Sequence, residues 1–250
     1  MPNQNQIYFN AFNQMSQIGS VRLRRLLNFF PELKTAWQAT ASELLQTGLE
    51  EPIIQELLLR RREIDPEAEF AKLESKNIKL LTFLDQNYPP LLKEIPNPPM
   101  VLYLLGELLA RDQQAIAVVG SRKTSPYGEQ VVYDLVRDLV RANLTVVSGL
   151  ALGIDALAHR TAVEFDGRTV AVLACGLDSI YPANNRIIAE KILSGHGAIL
   201  SELPLGTPPL KHHFPHRNRI ISGLAWGTVV IEAATDSGAL ITATHALEQN

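Results

Sequence analysis

The stretch Ala115–Gly149, AIAVVGSRKTSPYGEQVVYDLVRDLVRANLTVVSG, contains two short apolar runs on either side of a longer amphipathic segment. AIAVVG and LTVVSG are apolar at almost every position, which is typical of strands buried on both faces of a parallel sheet. GEQVVYDLVRDLVRAN places apolar residues at helical spacing, with charged residues between them. A strand, a helix and a second strand in this order predict a β-α-β unit with parallel strands.

The same alternation continues toward the end of the chain. Three further apolar runs are each followed by an amphipathic segment: RTVAVLACG (168–176), GAILSE (197–202) and GTVVIEA (227–233). Five strands alternating with helices predict the α/β class, with a Rossmann-like, doubly wound, mostly parallel sheet covered by helices on both faces. Ligands bind such sheets at the carboxyl ends of the strands, so we expect function in the loops after the strands.

Two other segments precede this sheet. Residues 1–75 show helical periodicity and predict a small all-α domain. Two stretches there, MSQIGSVRLRRLL and LLQTGLEEPIIQEL, place a glycine before an amphipathic helix, as helix-hairpin-helix units do. These turns either cap the domain or offer N–H groups to a DNA phosphate. Residues 76–113 contain the proline-rich NYPPLLKEIPNPP and predict a connector with sheet-extending strands. Residues 114–250 are expected to form the Rossmann-like domain.

Composition limits the classes of function. The 250 residues carry a formal net charge of −3, so any anion-binding site must be built locally. Cys175 is the single cysteine, which excludes an intrachain disulfide and fits a reducing cytosol. The sequence has no secretion signal and no apolar run long enough to span a membrane. We therefore expect a cytoplasmic protein.

The loop after the first strand, GSRKTSPYG, combines a glycine with two cations. Gly120 permits a sharp turn and close approach of a ligand. Ser121, Arg122 and Lys123 then precede a helix that Ser125 is expected to cap. Cations beside a helix N-terminus predict a phosphate site, and the alternative is a solvated surface turn.

The loop after the second strand, SGLALGID, opens into a helix. Ser148, Gly149 and Gly153 are expected to bring its backbone N–H groups to the same ligand. Asp155 and His159 lie four residues apart on one helix face, and they predict either an acid–base pair or a local ion pair that holds the helix start.

Polar residues also follow the third and fifth strands. Asp178, Tyr181 and Asn184 would cap the next helix or contact a ligand. For Tyr181, which precedes Pro182, a packing corner is favoured over a ligand contact. The turn after the fifth strand, which would contact a phosphate or cap a helix, contains Thr235, Ser237 and Gly238.

The loop after the fourth strand leads into KHHFPHRNRI, residues 211–220, in a stretch with no acid between Glu202 and Glu232. It predicts a metal site, a solvated surface or a groove for single-stranded nucleic acid. The spacing of its histidines is not a known metal-ligand spacing. In a groove, Phe214 offers a ring on which a base can stack. The side chains expected at phosphates or base edges are Lys211, Arg217, Asn218 and Arg219.

Cations that lie far apart in the sequence are expected to meet at one edge of the sheet. An α/β topology brings five such cations to the carboxyl ends together with the glycine loops. They are Arg122, Lys123, Lys211, Arg217 and Arg219. A locally cationic, partly aromatic rim of this kind can hold a polyanion although the whole chain is negative.

Six blocks in order, from about Tyr88 to the end, resemble the DprA/Smf family of DNA-processing proteins. These blocks are VVGSRKTSPYGEQV, VVSGLALGIDALAHRTAV, TVAVLACGLDSIYPANNR, ILSELPLGTPP, FPHRNRIISGLAWGTVVIEA and SGALITATHALEQ. The resemblance implies a non-enzymatic cytosolic protein with an extended Rossmann fold that dimerises. It implies that the protein binds and protects single-stranded DNA during natural transformation, and that it loads the RecA recombinase onto that DNA.

The resemblance also implies a DNA pocket at Arg122, Lys211 and Phe214, whose basic rim is formed by Arg217, Asn218 and Arg219. No cofactor or metal is implied. Two departures stand out. The chain stops before the final strand and the winged-helix-like domain of many family members, and Leu152 stands where an arginine is common.

Two other classes of function remain open. One is a nucleotide-processing Rossmann enzyme similar to the LOG-type phosphoribohydrolases, because GLAWGTVVIEA has a glycine turn, a strand and Glu232. The other is a dinucleotide-binding module, although the sequence lacks G-x-G-x-x-G and an acid placed for a ribose. Hydrolysis of AMP to adenine would favour the enzyme.

Overall fold

The structure, a computed structural model, describes residues 4–234 and 237–249. The chain forms two compact units. The first runs through Tyr88 and includes Asn97–Leu102, and the second contains Pro89–Pro96 and the chain from Tyr103 onward. The three-part division at residues 75 and 113 stays a prediction.

The first unit is mainly helical, as its periodicity predicts. Its elements within the described residues are α1 (Gln4–Asn13), α2 (Ser20–Phe29), α3 (Leu33–Gln38), α4 (Ala41–Gln46), α5 (Glu51–Arg60), α6 (Pro66–Ser75) and the strand β1 (Lys79–Thr82). Phe9 and Phe12 of α1 are fully buried, and the rings of Phe12 and Trp37 meet edge to face with centroids 5.1 Å apart. Burial of these aromatic side chains supplies much of the apolar area that stabilises the unit.

The two glycine turns of this unit are held by hydrogen bonds and ion pairs from α2. Arg22 Nη1 donates to Gln17 O at 2.8 Å, and Arg22 Nε lies 3.0 Å from Glu50 Oε2. Arg25 Nη1 donates to Gly48 O at 2.8 Å. These bonds hold the turns through their carbonyl groups, and the contact of the turns' N–H groups with DNA stays a prediction.

The strands of the described residues belong to one seven-stranded sheet in the order β1-β2-β6-β5-β4-β3-β7. The further strands are β2 (Val101–Gly106), which both units share, β3 (Ala115–Gly120), β4 (Thr145–Ser148), β5 (Thr169–Val172), β6 (Gly197–Ser201) and β7 (Gly227–Ile231). In the second unit, β2 runs antiparallel to β6, and the strands from β3 to β7 are mutually parallel. The α/β class and the mostly parallel sheet are therefore confirmed.

The helices of the second unit lie between the strands. They are α7 (Pro90–Glu94), α8 (Pro126–Arg141), α9 (Ile154–Glu164), α10 (Arg186–Lys191), α11 (His213–Gly223) and α12 (Gly238–Gln249). α8 packs on α9, and α11 packs on α12. Val118 of β3, Val132 and Val136 of α8 and Ala158 of α9 are fully buried in one core cluster. None of the helices in the described residues is long and apolar enough to cross a membrane.

The strand order reverses at β3, because β4 lies on one side of it and β7 on the other. In open α/β sheets such a switch point is where a crevice forms and where ligands bind. The loop after β3 carries Arg122 and therefore lies at this position.

Candidate nucleic-acid interface

The loop after β3 is held by its neighbours on both sides. Ser121 N donates to Ile231 O at 3.2 Å, and Ile154 N donates to Ser121 O at 3.1 Å. A Cβ at Gly120 would lie 1.9 Å from Ile231 O, so only glycine fits against β7 there. This fixed backbone leaves the side chains of Arg122 and Lys123 exposed.

The N-terminus of α8 is filled by a carboxylate of the same chain. Ser125 is its N-cap, as predicted, because Ser125 Oγ accepts from Gly128 N at 3.0 Å. Glu232, just after β7, accepts from Ser125 N at 3.0 Å and from Ser125 Oγ. These hydrogen bonds from Ser125 lower the pKa of Glu232. The phosphate position expected at this helix start is therefore taken by Glu232.

The loop after β4 is shaped by glycines that leave no room for a side chain. Gly153 has φ +79°, and a Cβ there would lie 2.2 Å from Ser121 O. A Cβ at Gly149 would lie 2.7 Å from the guanidinium of Arg217. Ser148 is fully buried, and its hydroxyl donates to Val118 O at 2.7 Å. The Ser148 side chain thus joins two strands and does not reach the surface.

Arg217 is buried beneath this loop, with 6% of the residue exposed. Its Nη1 donates to Gly149 O at 2.7 Å and to Val172 O, so it links the carboxyl ends of β4 and β5 to α11. Burial lowers the Arg217 pKa to about 10, and the attraction of Asp155 opposes that shift. Arg217 borders the cleft that contains Phe214, but its guanidinium already bonds two carbonyls of the protein, so the phosphate contact predicted for it stays a prediction.

Asn218 and Arg219 are likewise buried and engaged. Asn218 Nδ2 donates to Gly238 O at 3.1 Å, and Asn218 Oδ1 accepts from Arg217 Nε. Arg219 Nη2 lies 2.6 Å from both carboxylate oxygens of Glu202. The structure therefore places the RNR triplet inside the second unit, where it joins α11 to β5, α12 and the end of β6.

Asp155 and His159 do not pair with each other, because each bonds a different part of the protein. Asp155 Oδ2 accepts from Gly149 N at 3.1 Å and from Ala151 N at 3.4 Å. His159 Nδ1 lies 2.7 Å from Thr169 Oγ1. Burial raises the pKa of Asp155 and lowers that of His159 to about 3, so the imidazole is neutral near pH 7. This arrangement favours a structural role for both residues.

A small open cleft of about 50 Å³ lies between the loops after β3, β4 and β5 and the start of α11. Phe214 stands in its wall, with Arg122 Cζ 5.4 Å and Arg217 Cζ 5.9 Å from the centre of its ring. Both distances are within the range of cation–π attraction. The residues that line the cleft are Arg122, Gly149, Ala151, Leu152, Ala174, Cys175, Tyr181, Pro182, Pro209, Phe214 and Arg217.

Lys211 lies in the chain between two lining residues of this cleft, Pro209 and Phe214, and it is exposed. The structure therefore brings Arg122 and Phe214, 92 positions apart in the sequence, into contact at the carboxyl edge, with Lys211 three residues before the ring. Ser237 caps the start of α12, since its Oγ accepts from Ala239 N at 3.2 Å. Thr235, grouped with Ser237 and Gly238 in the expected polar turn, lies outside the described residues.

Sequence reasoning expected Leu152 only as a missing cation, and for Tyr181 it favoured a packing corner over a ligand contact. Both are half-exposed residues that line the cleft. The signal that could have found them is their position in the loops that follow β4 and β5. Within residues 4–234 and 237–249, no group of three or more His, Cys, Asp and Glu side chains could hold a metal ion.

Comparison with known proteins places this geometry in one family. Residues 79–250 match the protein-family model described as DNA recombination-mediator protein A. The whole chain is 42% identical to Protein Smf of Synechocystis sp., over 64% of that protein. It is also 42% identical to DNA processing protein DprA of Bacillus subtilis. That match covers 72% of this chain and 60% of the relative. The chain thus spans about three fifths of the length of these relatives.

Two solved structures resemble the chain. The X-ray structure of DNA processing protein A from Streptococcus pneumoniae matches all of this chain and 85% of that chain, with a TM-score of 0.82 and 34% identity. A structure of DNA processing protein A from Helicobacter pylori, described for its single-stranded DNA binding mode, has a TM-score of 0.61 and 30% identity. That match covers 69% of this chain and 77% of the other.

Proposed function

This chain belongs to the DprA/Smf family of DNA recombination mediators, and from that premise we propose that it binds single-stranded DNA at the carboxyl edge of its parallel sheet. The strand would pass over the cleft formed by the loops after β3, β4 and β5 and the start of α11. In this position its phosphates lie near the exposed cations, and its bases can turn toward the ring of Phe214.

The contact of Arg122 with Phe214 carries the proposal. A guanidinium 5.4 Å from the centre of an aromatic ring places a phosphate ligand and a base-stacking surface within one nucleotide of each other. Unpaired bases can stack on such a ring, whereas bases in a duplex are stacked on their neighbours. The same side-chain pair therefore favours a single strand.

Three cations are exposed in the loops at this edge although the formal net charge of the chain is −3. Arg122, Lys123 and Lys211 are exposed there. The nearest acids in the sequence on either side of the KHHFPHRNRI segment, Glu202 and Glu232, bind Arg219 and Ser125. Their negative charge is thus partly balanced within the protein, which leaves the exposed cations to attract a polyanion.

The proposed DNA-contacting side chains are Arg122, Lys123, Lys211 and Phe214. Gly120, Ser121, Gly149 and Gly153 would act through the backbone by shaping the loops, and Ser237 and Gly238 would do so at the start of α12. For Ser148, Arg217, Asn218 and Arg219 we propose a supporting role, because their side chains are buried.

We test this proposal by titrating a fluorescent oligothymidine with the protein and with single variants. F214A should weaken binding by about 1–3 kcal/mol through the lost base stacking. R122A and K211A should each weaken it by about 1–3 kcal/mol, since a charged hydrogen bond to phosphate is lost. Affinity of the unchanged protein should fall steeply with salt, because binding releases counterions.

The matched control is K191A. Lys191 is an exposed lysine at the end of α10, shortly before the amino end of β6, and so lies at the opposite edge of the sheet. Its removal changes the net charge as K211A does, and it should leave affinity unchanged. Equal losses in K191A and K211A would show that bulk charge, rather than this edge, binds the DNA.

We further propose that the protein protects the bound strand and loads RecA onto it during natural transformation. We also propose that it does so in the cytoplasm and as a homodimer. The resemblance to the family implies these steps, and the description of the matching family model as a recombination mediator agrees with the RecA step. Nuclease digestion of bound oligothymidine tests protection, and RecA filament formation on DNA coated with single-strand-binding protein tests loading. Light scattering measures the dimer. F214A should lose protection and loading together.

A binding role is favoured over a nucleotide-processing enzyme. Glu232, the residue on which the enzymatic alternative depends, accepts two hydrogen bonds from Ser125 at the start of α8. Its carboxylate therefore already serves the chain's own backbone. Incubation with AMP should leave the nucleotide intact, and release of adenine would establish the enzyme instead.

A further inference from the structure

Asn185 joins two of the loops that form the cleft. The residue begins α10 at the end of the loop after β5, and only 4% of it is exposed. Its Nδ2 donates to Leu150 O at 2.8 Å and to Ala151 O at 3.1 Å, and both carbonyls belong to the loop after β4. One buried amide nitrogen therefore ties the two loops together.

The loop after β4 has a backbone conformation that its neighbours must hold. Leu150 has φ +55° although it is not a glycine, and its side chain is fully buried. Residues with a side chain rarely adopt this conformation unless surrounding contacts impose it. Asp155 accepts hydrogen bonds from the N–H groups of Gly149 and Ala151. Since Asn185 donates to two carbonyls of the same loop, the loop is fixed through its N–H groups by one side chain and through its carbonyls by another.

The hydrogen bonds of Asn185 reach residues that line the cleft. Ala151, which accepts one of them, and Leu152 line the cleft from the loop after β4. Tyr181 and Pro182 line it from the loop after β5. Asn185 N also donates to Pro182 O at 3.0 Å. The side chain and the backbone of one buried residue therefore hold a lining residue of each loop.

We propose that Asn185 is a positioning residue for DNA binding, which fixes the spacing of the loops after β4 and β5 without contacting the strand. A primary amide suits this place, because one nitrogen carries two N–H groups for two carbonyls. A serine would offer one donor, and an ionised carboxylate would offer none. The inference rests on the proposed function and adds how the shape of the cleft is maintained.

The first test measures the affinity of N185A for oligothymidine and for an oligomer of equal length with abasic sites throughout. Without the amide the two loops can separate, so N185A should bind oligothymidine roughly 3- to 30-fold more weakly than the unchanged protein. Its affinity for the abasic oligomer should stay within about 2-fold of that of the unchanged protein, because the exposed cations that attract phosphates are kept.

N185D provides a readout that depends on pH. Its carboxylate has nearly the shape of the amide, but in the ionised form it would face two carbonyl oxygens and donate to neither. Burial beside carbonyls should raise the pKa of this carboxyl, and the protonated form can donate to one of them. The affinity of N185D relative to the unchanged protein should therefore rise by about 3-fold or more from pH 8 to pH 6.

The relative affinity of N185A should not change between the same pH values, because alanine does not titrate and the other titrating groups are common to all the proteins. A relative affinity of N185D that is likewise independent of pH would contradict the donation by residue 185 to the loop after β4.

N10A is the matched control. Asn10 is also a fully buried asparagine, but it lies in α1 of the first unit. Both alanine variants should lower the stability to urea, because each removes a buried polar side chain. Only N185A should weaken oligothymidine binding by the folded protein. N185S keeps one donor, so it should lose less affinity than N185A, and it carries the test if N185A does not fold.

The outcomes separate this inference from the proposed function. If the unchanged protein does not bind oligothymidine, the proposed function fails. If it binds, and F214A weakens binding while folded N185A and N185S do not, only the positioning role of Asn185 is refuted. Equal losses of N185A on both oligomers would also refute it, because the change would then act on the whole edge of the sheet rather than on the spacing of two loops.

Discussion

At the scale of single residues, the same chemical group takes opposite roles according to its burial. Arg122 and Arg217 both approach the ring of Phe214, at 5.4 and 5.9 Å. Arg122 is exposed and can meet a phosphate. Arg217 is buried and donates to Gly149 O and Val172 O, so it positions the loops and the ring. The two arginines should therefore differ in how their loss affects DNA binding.

R217Q and R122Q should both weaken oligothymidine binding but differ in salt dependence. R122Q removes one phosphate contact, so the slope of log affinity against log salt should become shallower by about 0.7. R217Q disturbs the loops without removing a phosphate contact, and its slope should stay that of the unchanged protein. Titrations at four salt concentrations measure the slopes, and a shallower slope in R217Q would place its guanidinium on the DNA.

At the scale of elements, the start of α8 shows how a local signal and a distant residue combine. Ser125 followed by Pro126 predicts a helix start, and the structure confirms the cap. Glu232, 107 positions away, accepts hydrogen bonds from the same serine. The carboxylate accepts hydrogen bonds at the helix start, and the positive end of the helix dipole stabilises its negative charge. Through this contact β7 holds the loop that carries Arg122.

Removal of this cap should lower the stability of the fold. S125A loses the hydroxyl that accepts from Gly128 N, which should reduce the free energy of unfolding by about 1–2 kcal/mol. T124A is the matched control, because Thr124 is a neighbouring hydroxyl residue whose Oγ1 bonds only the exposed Glu129 among the described contacts. Its loss should cost well under 1 kcal/mol. Urea denaturation measures both, and equal losses would contradict the cap.

At the scale of the whole molecule, polar groups buried around α9 link folding to pH. His159 is fully buried, and its pKa is lowered to about 3 by burial and by the charge of Arg217. An unfolded chain has a histidine pKa near 6.5. Between these values the unfolded chain binds the extra proton, so stability is complete above about pH 6.5 and is lost as pH falls.

The unchanged protein should therefore lose about 2 kcal/mol of unfolding free energy from His159 between pH 6.5 and 5. H159Q removes the titrating group and should lose correspondingly less over the same range. The raised pKa of Asp155 acts in the opposite direction and is common to both proteins, so the difference between them isolates His159. Urea denaturation at the two pH values measures it. If both proteins lose the same unfolding free energy, the pKa of His159 does not differ between the folded and the unfolded chain.

The periodicity of the sequence by itself determined the secondary structure and the fold class. Uniformly apolar runs separated by amphipathic segments leave little choice besides a parallel sheet between helices, and the strands from β3 to β7 confirm it. The cap at Ser125 was equally local. The expectation that loops after the strands meet at one edge follows from topology, and the contact between Arg122 and Phe214 agrees with it.

Which cations stay exposed at the cleft depends on contacts that form only in the folded molecule. Arg217 and Arg219 look as cationic in sequence as Arg122, yet they end in the interior beside backbone carbonyls and Glu202. Tyr181 looks like a packing residue and ends half-exposed. Periodicity reports the direction of a side chain along its own helix or strand, whereas burial at a loop or a helix start depends on partners far along the chain. Such partners are brought together only when the whole sheet has formed.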